Sequence, residues 1–310
     1  MRDPSFWWRS AGVEALALAP IAALYGAVAG YRMDGRGRPA GIPVICVGNL
    51  TVGGAGKTPT ALALARMLMN TRRRVFFLSR GYGGSVEGPV RVDPARHSAA
   101  EVGDEPLLLA RLAPTIVSHD RVAGAEMARA AGASIIVMDD GFQNPSLTKS
   151  FSLLVMDGHR GIGNGRVFPA GPLRAPLRVQ LRHAQALLIL GEPSASCEAA
   201  IAAARERGIP ILQGWLEAEA DAVSALTGLR ALAFAGIGNP GKFFATMEEW
   251  GISVPVTQTF PDHHRYTRAE AEALVERAAR ENLVLVTTEK DLVRIARDPD
   301  AAPLAKVVLM

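Results

Sequence analysis

Cysteine is almost missing from this chain of 310 residues; only Cys46 and Cys197 occur. Two cysteines exclude a disulfide framework and a cysteine-based metal site, and they fit a reducing compartment. Cys46 lies within the apolar run Val44–Val47 and reads as a small buried hydrophobe. A strong charge of one sign is lacking too: the formal net charge is +4, too small to mark a dedicated nucleic-acid binder. Charged residues are only 21% and hydrophobic residues 49%, which excludes a disordered chain and supplies a sizeable core. Internal repeats and low-complexity tracts are also missing.

What is present is unevenly placed. Between Pro145 and His183 stand Lys149, Arg160, Arg166, Arg174, Arg178 and Arg182, against the single acid Asp157. That stretch reads either as a surface for an anionic substrate or anionic membrane, or as an ordinary solvated basic face. Nearer the start, residues Ala15 to Tyr31 carry no charged side chain. Trp7, Trp8 and Arg9 precede this run, and Arg32 follows Tyr31, the flanks that membrane interfaces select. We read residues 1–32 as an N-terminal membrane-associated helix, spanning or lying in one leaflet, with a core helix as the competing reading. Ala27-Val28-Ala29 resembles a signal-peptide cleavage site. Export would carry the rest of the chain out of the cytoplasm, and the glycine-rich motif at Gly53–Thr58, described below, sets that reading aside.

Beyond Gly41, apolar runs alternate with helix-like stretches. Strands are expected at Val44–Val47, Val75–Leu78, Thr115–Val117, Ser134–Met138, Leu153–Met156 and Ala186–Leu190, with helices between them. This pattern predicts a mostly parallel sheet with helices on both faces over residues 33–215. A second series, with strands at Ala231–Ala235, Val254–Thr257, Leu283–Val286 and Val307–Leu309, predicts a smaller α/β domain over 216–310.

The strongest local signal is Gly53-Gly54-Ala55-Gly56-Lys57-Thr58, between a predicted strand and a predicted helix. Such a loop turns backbone N–H groups toward a phosphate at a helix N-terminus. Lys57 is placed to reach the β- and γ-phosphates of a nucleoside triphosphate, and the Thr58 hydroxyl to ligate Mg²⁺. Thr51 stands where the general pattern has its first glycine. Asp139-Asp140, at the end of the run Ile135–Met138, supplies the expected carboxylate partner for the metal. A GTPase needs Asn-Lys-x-Asp, and the nearest string, Thr288-Glu289-Lys290-Asp291, lacks the Asn. ATP is therefore the expected nucleotide.

Taken in order, these motifs resemble the tetraacyldisaccharide 4′-kinase family of lipid A synthesis. The matching strings are Val47–Pro59, Ser79-Arg80-Gly81-Tyr82-Gly83, Gly103-Asp104-Glu105-Pro106, Asp120-Arg121, Asp139-Asp140-Gly141-Phe142-Gln143, Pro169–Arg174, Phe260-Pro261-Asp262-His263-His264 and Thr288–Asp291. The family also carries Thr or Ser at the place of Thr51. The resemblance implies a P-loop kinase that uses ATP and Mg²⁺ at the cytoplasmic face of the inner membrane of a Gram-negative-type bacterium. Its acceptor is then a glycolipid, the 4′-hydroxyl of a tetraacylated glucosamine disaccharide 1-phosphate. Its other partner is an anionic membrane surface, with no nucleic acid and no obligate protein partner.

The resemblance further implies nucleotide contacts from Thr51, Gly53, Gly54, Ala55, Gly56, Lys57 and Thr58, and metal contacts from Thr58, Asp139 and Asp140. It implies acceptor contacts from Asn49, Glu105, Gln143 and Arg174, with Arg121 neutralising the transferring phosphate. Asp104 and His263 are the implied proton acceptors, a carboxylate oriented by an imidazole. Read without the family, Asp104 is an ordinary helix N-cap and His263 an ordinary surface or core histidine. Two positions depart from the family pattern: Asn144, where His is frequent, and Ala175, where Glu is frequent. Two alternatives stay open on sequence: a P-loop kinase with a soluble acceptor, and an ATP-switched membrane-binding protein. Dependence of ATP turnover on a lipid acceptor separates them.

Overall fold

Short β-branched and apolar runs become the strands of two sheets in a computed structural model. It describes residues 3–217, 220–306 and 308–309. The strands are β1 Val44–Asn49, β2 Val75–Ser79, β3 Val90–Arg91, β4 Thr115–Val117, β5 Ile135–Asp139, β6 Phe151–Asp157, β7 Ala186–Leu190, β8 Ile211–Gly214, β9 Arg230–Ala235, β10 Ser253–Thr259, β11 Val284–Val286 and β12 Val308–Leu309. The helices are α1 Val13–Ala17, α2 Ala19–Met33, α3 Lys57–Asn70, α4 Ala99–Val102, α5 Asp104–Ala110, α6 Arg121–Ala130, α7 Leu177–Arg182, α8 Glu198–Glu206, α9 Ala220–Leu226, α10 Pro240–Glu249, α11 Arg268–Glu281 and α12 Glu289–Ile295.

The larger sheet has the order β3-β4-β2-β5-β1-β6-β7-β8, parallel except for the β3–β4 pair. Apart from half-buried Ile45 and exposed Phe151, the apolar side chains of β1, β2, β5 and β6 are buried on both faces, which is why these strands read as near-continuous apolar runs. After β1 the chain builds β2 to β5 on one side, then crosses to β6 on the other. β1 therefore lies at the reversal of strand order, where α/β sheets open a crevice at their carboxyl ends. The smaller sheet has the order β10-β9-β11-β12, all parallel. The two sheets meet where α12 packs on α5, with Val293 against Val102, Leu107 and Leu108.

Cys46 is wholly buried, and burial pushes its thiol up to about 12, so it acts as a hydrophobe. The predicted final strand began at Val307, which lies outside the described residues; Val308–Leu309 forms β12.

The N-terminal run departs from the spanning-helix expectation. Pro20 cannot continue a hydrogen-bond ladder, and the run divides at Leu18 into α1 and the 15-residue α2. At 1.5 Å per residue α2 is about 22 Å long, short of the ~30 Å hydrocarbon core of a bilayer. Among the described residues no helix is long and apolar enough to cross a membrane. Instead α2 docks through Ala22, Gly26, Gly30 and Met33, one stripe at helical spacing. Glycine lets the helix approach: a Cβ at Gly26 would meet Pro176 at 3.4 Å, and one at Gly30 would meet Val179 at 3.5 Å. The opposite face carries Ile21, Leu24, Tyr25, Val28 and Tyr31, all exposed.

Candidate active site

The phosphate loop is strapped from below and from the side. β1 ends on Asn49, which is fully buried; its amide donates to the Thr51 carbonyl at 2.7 Å and the Gly53 carbonyl at 3.0 Å. Thr51 forms an antiparallel bridge with Leu173, and Val52 N–H donates to the Pro172 carbonyl at 2.7 Å. The pairing with Leu173 accounts for a β-branched residue where the general pattern has glycine. Gly53 and Gly56 take φ of +101° and +84°, a region where a Cβ is strained, and a Cβ at Gly56 would also strike Leu190. Gly54 is exposed and Ala55 buried. Lys57 then opens α3, so the loop leads directly into a helix N-terminus.

At the end of β5, Asp139 is buried and accepts a hydrogen bond from the Thr58 hydroxyl at 3.0 Å through Oδ2. Its Oδ1 is buried without a hydrogen-bond partner. Burial, reinforced by the Glu105 charge, raises its carboxyl well above the usual range. A buried carboxylate with a free oxygen beside a threonine hydroxyl is a fit for a hard cation. Magnesium uses one or two such protein ligands and takes the rest from water and phosphate. Asp140, at φ +62°, behaves oppositely. Burial opposes its ionisation, but Lys57 at 3.6 Å and Arg174 at 3.4 Å outweigh it and hold the carboxyl low.

Arg174 also donates from Nε to the Thr51 carbonyl at 2.9 Å, tying Asp140 to the loop. Gln143 donates to the Asn49 carbonyl at 2.8 Å and to Gln180 at 2.9 Å. Three residues expected to contact acceptor (Asn49, Gln143 and Arg174) thus bond to the loop's supports. Arg121 opens α6, buried, with one nitrogen on the Ser118 carbonyl and its Nε without a partner. Burial, then the neighbouring Arg80, depresses its pKa.

Across the crevice, Asp104 and His263 meet although they come from different sheets. Asp104 opens α5 and is 3% exposed. His263 Nδ1 lies 3.2 Å from its Oδ2. His263 follows β10 in a turn at φ +57° and is packed against the Tyr82 ring, with centroids 5.5 Å apart. The hydrogen bond to Asp104 raises the imidazole pKa against its partial burial. Burial disfavours an ionised Asp104, yet His263, Arg294 and Lys290 together hold it well below the usual carboxylate range.

Two of those three cations escaped the sequence reading. Lys290 Nζ pairs with Glu105 at 2.6 Å, and the Arg294 guanidinium grips Asp104 from Nε at 3.0 Å and Nη2 at 2.6 Å. The string Thr288–Asp291 was the available signal; it marks the start of α12, and Arg294 follows Asp291 by one turn. Lys57, Asp140, Asp139, Glu105, Lys290, Asp104 and His263 form a chain of mutually interacting charges from the phosphate loop to the smaller sheet.

His264 belongs elsewhere. Its ring stacks on Phe260, with centroids 4.8 Å apart, and Nε2 sits 3.0 Å from Glu270, inside the cap of α11. We expect His264→Ala to lower stability by about 1 kcal/mol while changing kcat no more than about threefold. Thermal unfolding and steady-state rates check this; a kcat loss matching that of His263→Ala would contradict it. Of the two departures, Ala175 is fully buried in the core under the loop, and Asn144 accepts from Ser146 N–H in a local turn. In the basic stretch, Lys149 donates to the Phe142 carbonyl, and Arg160, Arg174 and Arg182 pair with Asp3, Asp140 and Asp34. It is therefore not a uniform solvated face.

The fold and this site define a P-loop nucleotide-binding α/β protein, with an acid–imidazole pair across the cleft from its phosphate loop. The chain belongs to the tetraacyldisaccharide-1-P 4′-kinase family, whose model matches residues 14–310. It is 58% identical over 296 residues to the tetraacyldisaccharide 4′-kinase of Methylobacterium sp. (strain 4-46), covering 95% of this chain and 89% of that one. It is 55% identical over 302 residues to the tetraacyldisaccharide 4′-kinase of Rhodopseudomonas palustris (strain BisA53), covering 97% and 88%. Among solved structures, LpxK from Aquifex aeolicus in complex with ATP matches with a TM-score of 0.70 at 28% identity, over 92% of this chain and 91% of that one.

Proposed function

We propose that this chain transfers the γ-phosphate of ATP to the 4′-hydroxyl of a tetraacylated glucosamine disaccharide 1-phosphate, a lipid A precursor. The observation that carries the reading is the Asp104–His263 contact between sheets, at 3.2 Å, inside a chain of this family. A nucleotide switch has no use for such a pair; a kinase needs it for the acceptor proton.

In the transfer, the acceptor oxygen forms a bond to the γ-phosphorus as the bond to the β,γ-bridging oxygen breaks, and ADP leaves. The loop N–H groups at the start of α3 and the Lys57 ammonium hold the triphosphate and offset its charge. Arg121, whose Nε has no hydrogen-bond partner, adds positive charge near Asp140. Thr58 and Asp139 would hold Mg²⁺, which would supply charge neutralisation for the triphosphate. Asp140, fixed between Lys57 and Arg174, keeps the lysine in place. The hydroxyl proton passes to the Asp104–His263 pair. Asp104 is held low and His263 raised, so the proton comes to rest on the imidazole. Glu105, paired with Lys290, borders the acceptor. Residues 33–215 act as the core domain and 216–310 as the smaller domain that brings His263. Incubation with γ-labelled ATP tests the reading: label enters the glycolipid only when the disaccharide acceptor is supplied. Equal ATP hydrolysis with and without acceptor would contradict it.

The acyl chains of such an acceptor are anchored in a bilayer, so the enzyme must work at its surface. Residues 1–32 serve as the attachment. The exposed apolar face of α2 lies in one leaflet of an anionic membrane at the cytoplasmic side, where ATP is present, with the exposed Arg9, Arg32 and Arg36 beside the headgroups. We expect a Leu24→Asp/Val28→Asp variant to lose most of its cosedimentation with vesicles containing anionic phospholipid while keeping its melting temperature. Undiminished cosedimentation would remove α2 as the attachment.

A further inference from the structure

The Arg294 guanidinium is only 8% exposed and all of its nitrogens are engaged. Nε and Nη2 converge on Asp104 Oδ2. Nη1 donates to the Gly236 carbonyl at 2.7 Å and to Asp291 Oδ1 at 2.8 Å. That same Gly236 carbonyl accepts the backbone N–H of His263 at 3.0 Å. One planar side chain therefore touches the carboxylate of the proposed pair and the carbonyl that anchors the backbone of its imidazole. Asp291 fixes the guanidinium in turn: it is fully buried and accepts from Gly236 N–H, Tyr266 Oη at 2.8 Å and Thr288 Oγ1 at 2.7 Å.

We propose that Arg294 is a positioning residue for phosphoryl transfer. It locks Asp104, from the larger sheet, and His263, from the smaller, into one rigid acid–imidazole unit. The proposal rests on the kinase reading above. Its physical basis is the fork geometry of arginine, which brings two fixed donors onto one carboxylate oxygen and leaves a third nitrogen for the carbonyl; a lysine ammonium cannot reproduce this. Otherwise His263 is oriented by its turn at φ +57°, its contact with Tyr82 and the half-exposed Asp262, 3.8 Å from Nε2.

The arrangement sets the sign of a pH effect. The groups facing Asp104 are Arg294 and Lys290 from α12, His263 from the turn after β10, and Glu105 beside it on α5; Asp262 faces the imidazole. The Arg294 charge favours the deprotonated form of both Asp104 and His263. Its loss makes the pair hold a proton more tightly, so the acidic limb of kcat/KM moves to higher pH.

Four variants test this: Arg294→Gln, Arg294→Lys, Asp104→Asn and Arg294→Gln combined with Asp104→Asn. The readouts are kcat, KM for ATP, pH profile and melting temperature, with the wild-type protein on the glycolipid acceptor as reference. Arg294→Gln is expected to lower kcat about 10²-fold or more and to raise the acidic limb by roughly one unit. KM for ATP should stay within about threefold, because no loop contact is lost. Arg294→Lys keeps the charge, so its limb stays in place, yet kcat falls by about tenfold or more because the fork is gone. The combined variant is expected to be little worse than Asp104→Asn alone. Wild-type kcat in Arg294→Lys together with an unmoved limb in Arg294→Gln would overturn the proposal, as would multiplicative losses in the combined variant. Arg294→Lys retains a cation in the buried network, so its kinetics stay readable even if Arg294→Gln unfolds. Wild-type protein that transfers no phosphate to the acceptor would sink the kinase reading itself, an outcome distinct from any of these.

Discussion

Asp104→Ala and His263→Ala each lower kcat by roughly 10²–10⁴-fold, and the double variant loses little more than the worse single one. Groups that act as a unit are non-additive: once one is gone, the other has no function left to lose. The expectation rests on the 3.2 Å contact between the buried carboxylate and Nδ1, and on the raised pKa that the carboxylate gives the imidazole. The pH profile adds a signed check. The competent pair has lost its proton, and Asp104 raises the His263 pKa, so the acidic limb of kcat/KM lies above the ordinary histidine value. Asp104→Asn removes that charge, and the residual activity should titrate at lower pH. ATP affinity should hardly change, since neither residue belongs to the phosphate loop. Steady-state kinetics on all four proteins decides the matter; fully multiplicative losses would separate the pair.

Lys57→Ala should lower kcat by about 10²–10³-fold or more. The ammonium is 10% exposed, opens α3 and stands 3.6 Å from Asp140. Its charge is best matched to the phosphates as negative charge shifts onto the leaving oxygen, so its loss falls on kcat as well as on KM. A second consequence concerns Asp140. Lys57, Arg174 and Arg121 are the cations that keep it ionised, and the strongest of them, Lys57, disappears in the variant. Lys57→Arg should recover little, because a planar guanidinium does not reproduce the compact point charge of an ammonium. Near-normal kcat in Lys57→Ala would remove the phosphate loop from the chemistry.

The parts of this site that were legible in the sequence are those that are contiguous. The strand–loop–helix around Gly53–Thr58 and the strand ending in Asp139-Asp140 carry their structure within a dozen residues, because buried parallel strands are apolar throughout and glycines mark the turn. Asp104 and His263 were reached only through the family pattern; alone, each resembles a helix cap or an ordinary histidine. Arg294 left no local mark, and Lys290 was legible only as a member of the string Thr288–Asp291, with no role attached. Their partners are 190 and 185 residues away, and a basic side chain on a seven-residue helix looks like any solvent-facing charge. Asn49 and Gln143 were reached only through the family pattern, as acceptor contacts, and the three-dimensional arrangement places their amides on backbone carbonyls at the end of β1 and in the loop. The N-terminal run misled in a simple way. Composition records that Ala15 to Tyr31 is uncharged, whereas the break at Leu18 and the glycine stripe of α2 depend on Pro20 and on the surface it meets.

The most direct measurement is phosphorus NMR of the product formed from ATP, Mg²⁺ and the tetraacylated disaccharide 1-phosphate. A second phosphate monoester, coupled to the proton at the 4′ position of the distal glucosamine, is the predicted result, with ADP formed in equal amount. Phosphate on another hydroxyl, or ADP released with free phosphate and no second monoester, would contradict the account.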